Sequence, residues 1–113
     1  MDSILLSIKK LLGITETETH FDIDVIIYIN TALSILNQIG IGKELSIVDD
    51  STKWVDFLVD EKFYEMAKTY VYMKVKLIFD PPASATLVEA LKDSINELEW
   101  RLYTRSEVED SSK

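Results

Sequence analysis

The sequence predicts an all-α fold: a bundle of four main helices plus one short helix, with a long loop at about residues 40–50 and a disordered acidic C-terminal tail. Apolar residues return every three or four positions through most of the chain, which is the helical period. Only residues 45–48 alternate like a strand, and a single strand has no partner within this chain. The length of 113 residues suits one domain with one hydrophobic core.

The first helix is predicted over residues 4–12, where the apolar side chains form one stripe. Lys9 and Lys10 lie near its C-terminal end, where positive charge interacts favourably with the helix dipole. Gly13 is typical of a helix end. The polar linker that follows, residues 14–19, is short, so the second helix must pack back on the first.

The second helix is predicted over about residues 21–38 and ends at Gly40. Thr19 and Asp22 have the spacing of a capping box at its start. Its apolar residues cover about half of the circumference, whereas packing on one side needs a stripe of only ~100°. Such a wide face indicates a central helix that several others contact, or one that also meets a second chain. The opposite side carries polar residues: Asn30, Ser34 and Asn37.

The stretch at residues 40–50 contains two of the three glycines of the chain and has no helical period. Two interpretations follow from the weak alternation within it. The stretch packs on this chain as a loop, or it pairs with another molecule as an added strand.

The later helices are set by clear start and stop signals. A short helix carries Trp54, and Asp60 then caps a long helix that ends at Phe79 or Asp80. The two prolines that follow, Pro81 and Pro82, end it, because the residue before a proline is disfavoured in the α conformation. With Asp80 they are predicted to set the angle between the last two helices.

The last helix is predicted to begin near residue 82 or 84 and to end at about Thr104. Residues 105–113 have no apolar period and an excess of acidic and polar side chains, which is typical of a flexible tail. The chain is therefore divided into a helical domain at 1–104 and a flexible acidic tail at 105–113.

Composition excludes several classes of function. Twelve basic against 20 acidic residues, a net charge of −8, argue against a nucleic-acid-binding surface, which has to be basic. The absence of cysteine excludes thiol catalysis and cysteine-ligated metals, and no glycine-rich phosphate loop or nucleophile–base motif is present. His20, Asp22 and Asp24 would face different directions on a helix, so no metal and no cofactor are predicted. No apolar run approaches the ~20 residues that cross a bilayer.

Two side chains are candidates for contacts with other subunits. Lys74 falls within the apolar arc of the fourth helix, where it either extends its methylenes to water or pairs with a buried carboxylate, which another subunit could supply. Trp100 lies opposite the apolar stripe of the last helix. It is either covered by a neighbouring helix or the N-terminal segment, or it belongs to an interface, where tryptophan is enriched.

Several segments of the chain resemble the head–tail connector (adaptor) proteins of tailed bacteriophages. These segments are residues 21–33, 36–42, 54–58, 68–82 and 95–102. The most specific runs are Lys-Val-Lys-Leu-Ile-Phe-Asp-Pro-Pro, which ends at Pro82, and Glu-Leu-Glu-Trp-Arg-Leu, which ends at Leu102. The resemblance covers nearly the whole chain except the acidic tail.

The resemblance implies a structural role without enzymatic activity or cofactor. Proteins of this kind form a homo-oligomeric ring beneath the portal, expected to match its twelve-fold symmetry, from subunits that can be monomeric in isolation. The ring extends the DNA channel, through which DNA passes without specific binding, and offers a platform for stopper or tail-completion proteins. The C-terminal segment is expected to engage the portal. The resemblance further implies location at the head–tail junction of the virion, after assembly in the host bacterial cytoplasm from a phage or prophage gene, without membrane contact.

The predicted contact residues combine the loop with the two candidate helices. They are Ile41, Leu45, Ile47, Val48, Lys74, Lys76, Trp100 and Arg101. Two alternatives stay open. A small acidic regulator or inhibitor of a basic partner protein would bind through a charged face, and its binding would fall with salt. An accessory subunit of an enzyme or a small hydrolase is disfavoured by the missing catalytic groups.

Overall fold

Five α-helices and one 3-10 turn make up most of the chain, and the computed structural model describes residues 2–111, with side chains as far as residue 107. The helices are α1 (Ile4–Leu11), α2 (Asp22–Ile39), α3 (Trp54–Phe57), α4 (Tyr64–Phe79) and α5 (Ala85–Ser111), and the 3-10 turn Glu61–Phe63 precedes α4. Within the described residues there is no strand, only two isolated bridges between loop positions. The all-α prediction is confirmed.

Local signals explain most helix ends. The Ser3 hydroxyl oxygen accepts a hydrogen bond from the Leu6 amide at the start of α1. The Ser84 hydroxyl oxygen accepts from the Leu87 amide at the start of α5. Gly40 ends α2 with a φ of +99°, a left-handed conformation that glycine adopts without the clash a Cβ would cause.

The predicted capping box at the start of α2 is wrong. The N-cap residue is Phe21, which makes no side-chain cap bond, and Asp22 already belongs to the helix. The Asp22 carboxylate instead pairs with Lys9 of α1, at 2.9 Å. A long-range ion pair has replaced the local bond that the spacing indicated.

The core lies between α2 and α4, with α1 on one flank and α5 on the other. The centre of the apolar face of α2 is therefore buried within the chain, as expected of a central helix, whereas Ile23 and Ile27 of this helix stay exposed. Trp54 is fully buried, and its indole nitrogen donates to the Ser7 hydroxyl at 2.8 Å, which ties α3 to α1. The fully buried residues of the central pair are Val25, Ile29, Ala32, Leu33 and Leu36 of α2 with Ala67, Tyr70, Val71 and Val75 of α4.

The segment at residues 40–50 is a packed loop, the first of the two interpretations. Asn30 of α2 binds the backbone of Ile47 twice: its amide nitrogen donates to the carbonyl at 3.0 Å, and its carbonyl oxygen accepts from the amide at 2.8 Å. Asn37 donates to the Gly42 carbonyl at 2.9 Å. The polar side of α2 thus replaces a neighbouring strand as the hydrogen-bonding partner of the loop.

The last helix is longer than predicted. α5 continues past Thr104 to Ser111, so the expected tail at 105–113 is helical as far as residue 111, and residues 112 and 113 lie outside the described part. Ser106 is buried, and its hydroxyl donates to the Ile39 carbonyl at 2.9 Å. This carbonyl is among those left without a helical partner at the end of α2. The packing of α5 on the end of α2 therefore moves the predicted boundary.

Candidate functional site

A pair of exposed aromatic rings lies on the outer face of α5. Trp100 is 65% exposed and Tyr103 is 46% exposed. Their rings stack with centroids 6.4 Å apart and an interplanar angle of 27°. Neither a neighbouring helix nor the described N-terminal segment covers Trp100. An exposed tryptophan held against a second aromatic ring is typical of a binding surface.

Two grooves flank Trp100. The first, of about 320 Å³, is lined by Met66 of α4 and by Trp100, Arg101, Thr104 and Arg105. The second, of about 350 Å³, is lined by Ile39, Asn96, Glu99, Trp100 and Tyr103.

Two arginines line the first groove, and its described lining contains no carboxylate. Arg101 pairs at 2.7 Å with Glu97, which lies outside this lining. Arg105 lies over the Phe63 ring, 5.8 Å from its centroid. We call Trp100, Tyr103, Arg101 and Arg105 the aromatic ridge.

A partly buried hydrogen bond joins α5 to α4 beneath the aromatic ridge. The Tyr70 hydroxyl of α4 donates to the Glu99 carboxylate at 2.8 Å. Burial of the phenol, and then the hydrogen bond and negative charge of Glu99, raise the pKa of Tyr70. Because Glu99 faces α4, the next residue, Trp100, points away from that contact.

A second surface lies where α1, the start of α2 and the loop meet. It is a groove of about 310 Å³ whose rim carries four carboxylates, Glu16, Asp22, Asp49 and Asp50. Ile23 and Val48 also line it and are the most exposed large apolar side chains described, at 76% and 80%. We call Ile23, Val48 and these four carboxylates the acidic groove.

Asp49 in the acidic groove is held in its charged form by hydrogen bonds. The hydroxyl and amide of Ser51 donate to Asp49, and these hydrogen bonds lower the pKa of Asp49. Of the four carboxylates, Asp22 is neutralised by Lys9. The other three leave the rim negative.

Lys9 forms the inner wall of the acidic groove. It is fully buried, and besides the ion pair with Asp22 its ammonium group donates to the carbonyl oxygens of Glu18 at 2.6 Å and Glu16 at 3.4 Å. These bonds hold the linker after α1 against α2. The sequence predicted only a charge at a helix end, and nothing in the linker indicated that backbone carbonyls would converge there.

The family model described as phage connector protein matches residues 4–109, from the start of α1 into the last turns of α5. This chain belongs to the phage connector family. The resemblance seen in the sequence is thereby confirmed, and the connector is a virion-associated protein. No curated protein and no solved structure matches the chain.

The predicted loop contacts of the connector divide between core and surface. Ile41 and Ile47 are fully buried, so in this conformation they support the loop from within. Leu45 is half-buried against the core, and Val48 stands at the surface in the acidic groove. The alternation seen in the sequence reflects this inward and outward order.

The predicted lysines of α4 are half-buried. Lys74 makes no ion pair with any described residue, so no carboxylate of this part of the chain is its buried partner. Lys76 reaches the end of its own helix, where it donates to the Asp80 carbonyl at 3.3 Å and pairs with the Asp80 carboxylate at 3.7 Å. Asp80 ends α4 with a φ of −148°, and Pro81 and Pro82 follow in the connection to α5.

The described residues contain neither a three-ligand metal site nor a helix that could span a bilayer. No group of three or more histidine, aspartate or glutamate side chains there is arranged to hold a metal ion. His20 packs edge-on against the Phe21 ring, with centroids 4.8 Å apart. None of the described helices combines the length and the apolar character needed to span a bilayer.

Proposed function

We propose that this connector forms a ring beneath the portal of a tailed phage, extends the DNA channel, and carries the stopper or tail-completion protein. The observation that supports it best is the aromatic ridge, a stacked tryptophan and tyrosine left exposed between two grooves. A monomer has no need to expose such a surface, whereas the centre of a protein–protein interface is enriched in tryptophan and arginine.

The acidity of the chain supports passage of DNA rather than its binding. The net charge is −8, and the phosphate backbone repels a surface of the same sign. A channel lined by such a protein lets DNA slide, because the excess of carboxylates repels the phosphates. The proposed role is structural and needs neither catalysis nor cofactor.

The contacts are proposed to involve the six predicted residues that are not fully buried. Trp100 and Arg101 lie in the aromatic ridge, and Lys74 and Lys76 lie on the neighbouring helix α4. The loop contributes Val48 at the surface and Leu45 behind it. Of the two lysines, Lys74 is the stronger candidate for a subunit contact. Its ammonium group has no ion-pair partner among the described residues and can donate to a carboxylate of another subunit.

The test combines the purified connector with portal rings and measures the mass of the complex by sedimentation and native mass spectrometry. We expect a ring on the portal for the wild type, whether or not the free connector is a monomer. Trp100→Ala should weaken assembly at least about 30-fold, since loss of a central interface tryptophan commonly costs about 2 kcal/mol or more. Lys74→Glu should also impair it.

Matched controls separate an interface effect from unfolding. Leu87→Ala removes an exposed apolar side chain from the other half of α5, and Lys92→Glu reverses an exposed charge there, and both should assemble normally. All four variants should keep the helical circular dichroism of the wild type. Normal assembly by both Trp100→Ala and Lys74→Glu would contradict the assignment of these residues to the contact. A wild type that does not assemble on the portal would contradict the proposed function.

A further inference from the structure

The aromatic ridge and the acidic groove are complementary in charge and in apolar character. The ridge exposes Trp100 beside two arginines, in a chain where acids outnumber bases by 20 to 12. The acidic groove exposes Ile23 and Val48 inside a rim of carboxylates. Each surface offers the other an apolar contact surrounded by charges of opposite sign, as protein–protein interfaces do.

The two surfaces lie at opposite ends of α2. Ile39, the last residue of this helix, lines a groove of the aromatic ridge, and Ile23, its second residue, lines the acidic groove. Sixteen residues of helix separate them by about 24 Å. One copy therefore cannot close its own ridge on its own groove, but it can present one surface to each of two neighbours.

We infer that the aromatic ridge of one copy docks into the acidic groove of the next copy, with Arg101 and Arg105 meeting Glu16, Asp49 and Asp50. The contact is head-to-tail, since two different surfaces meet, and repetition of such a contact by rotation closes a ring. The inference rests on the proposed ring function and names the subunit surfaces that build it.

The geometry also explains two otherwise unrelated features. The Tyr70–Glu99 bond holds the Glu99 carboxylate toward α4, at the second groove, and leaves only the arginines as charged groups in the first groove. Lys9 is buried behind the groove and paired with Asp22, so it does not oppose an incoming arginine.

Cysteine cross-linking tests the contact directly, because the natural chain contains no cysteine. Val48→Cys places one thiol in the acidic groove, and Thr104→Cys places one beside Trp100. The two single variants, one of them carrying a mass tag, are mixed in equal amounts and oxidised with and without portal rings. We expect the mixed disulfide dimer in at least about tenfold excess over either self-dimer. A self-dimer would join groove to groove or ridge to ridge, which brings like charges together. Leu87→Cys, on the far half of α5, replaces Thr104→Cys as the control and should give no such excess.

Charge exchange provides the second measurement. Arg101→Glu with Arg105→Glu makes the ridge negative, and Glu16→Arg with Asp50→Arg makes the groove positive. Each double variant alone should lose the ring and, when it also carries Val48→Cys or Thr104→Cys, the cross-link, because like charges then meet. An equal mixture of the two should regain both, since a negative ridge meets a positive groove and a positive ridge meets a negative groove.

The outcomes separate the inference from the function on which it rests. A wild type that forms rings on the portal while the mixed cross-link is absent, or while the mixture of charge variants stays defective, overturns the inference and leaves the function standing. A wild type that forms no assembly with the portal, while the Val48→Cys and Thr104→Cys variants give the mixed cross-link, contradicts the proposed function and retains the head-to-tail contact.

Discussion

Tyr70→Phe removes one hydroxyl from the contact between α4 and α5 and leaves the ring in the core. Tyr70 is fully buried, and its hydroxyl donates to Glu99 at 2.8 Å. A hydrogen bond to a charged group contributes about 1.5–3 kcal/mol to the free energy of unfolding. Glu99 is half-buried, so water can solvate the carboxylate that the variant leaves without its partner. The expected loss at pH 7 is therefore at the lower end, about 1.5 kcal/mol.

The same bond predicts a dependence on alkaline pH. Burial, and then the hydrogen bond and charge of Glu99, raise the pKa of Tyr70 in the folded protein, whereas an unfolded tyrosine ionises at pH ~10. The contribution of this bond to the free energy of unfolding is thus complete below pH ~10. As the pH rises further, the contribution falls by about 1.4 kcal/mol per pH unit. Phenylalanine does not ionise, so the cost of Tyr70→Phe should fall to nearly zero at about pH 11.

Urea unfolding followed by circular dichroism at several pH values between 7 and 11 measures this difference. Tyr72→Phe, on the same helix, is the control and should keep a constant, small difference from the wild type. A Tyr70→Phe variant that costs less than about 0.5 kcal/mol at pH 7, or that tracks the wild type in parallel up to pH 11, would refute the proposed bond. The outcome bears on assembly, because this bond determines which side of α5 carries the aromatic ridge.

Two further substitutions test the long-range contacts that shape the acidic groove. Lys9→Met should lower the free energy of unfolding by about 3 kcal/mol, since it leaves a carboxylate and two carbonyl groups without their buried partner. Thermal unfolding measures this loss, and the control Lys10→Met, at an exposed neighbouring position, should change the free energy of unfolding little. Asn30→Ala should cost about 2 kcal/mol through its two bonds to Ile47 and speed hydrogen exchange at the Ile47 amide, unlike Ser34→Ala. Unchanged protection of that amide would mean that other contacts hold the loop.

Local signals in the sequence determined the helices and the order in which they follow. The 3.6-residue period identifies an apolar face, and Gly40 and Pro81 end a helix through torsion angles within a few neighbours. Asp60, predicted to cap the long helix, caps the 3-10 turn that leads into α4, which itself has no side-chain cap. The same helical period placed Trp100 opposite the apolar stripe of its helix, and the structure leaves it exposed. The family resemblance also lay in the sequence.

What the sequence could not determine is which polar group meets which. Lys9 was expected to interact with the dipole at the end of its own helix, yet it binds the carboxylate of Asp22 and backbone carbonyls of the linker. Glu99 meets a tyrosine 29 positions earlier, and Ser106 meets the end of α2, which extends α5 beyond the predicted boundary. These partners are far apart along the chain, and no periodic pattern encodes them.

The candidate site shows the same division. Helical periodicity alone placed Trp100 on an outer face, because that depends only on the helix to which it belongs. The grooves beside it depend on Met66 of α4 and Ile39 of α2, and the acidic groove joins a linker, a helix start and a loop. Only the packing of the helices brings such residues together, since a surface made of several segments is defined by their relative positions and not by any one of their sequences.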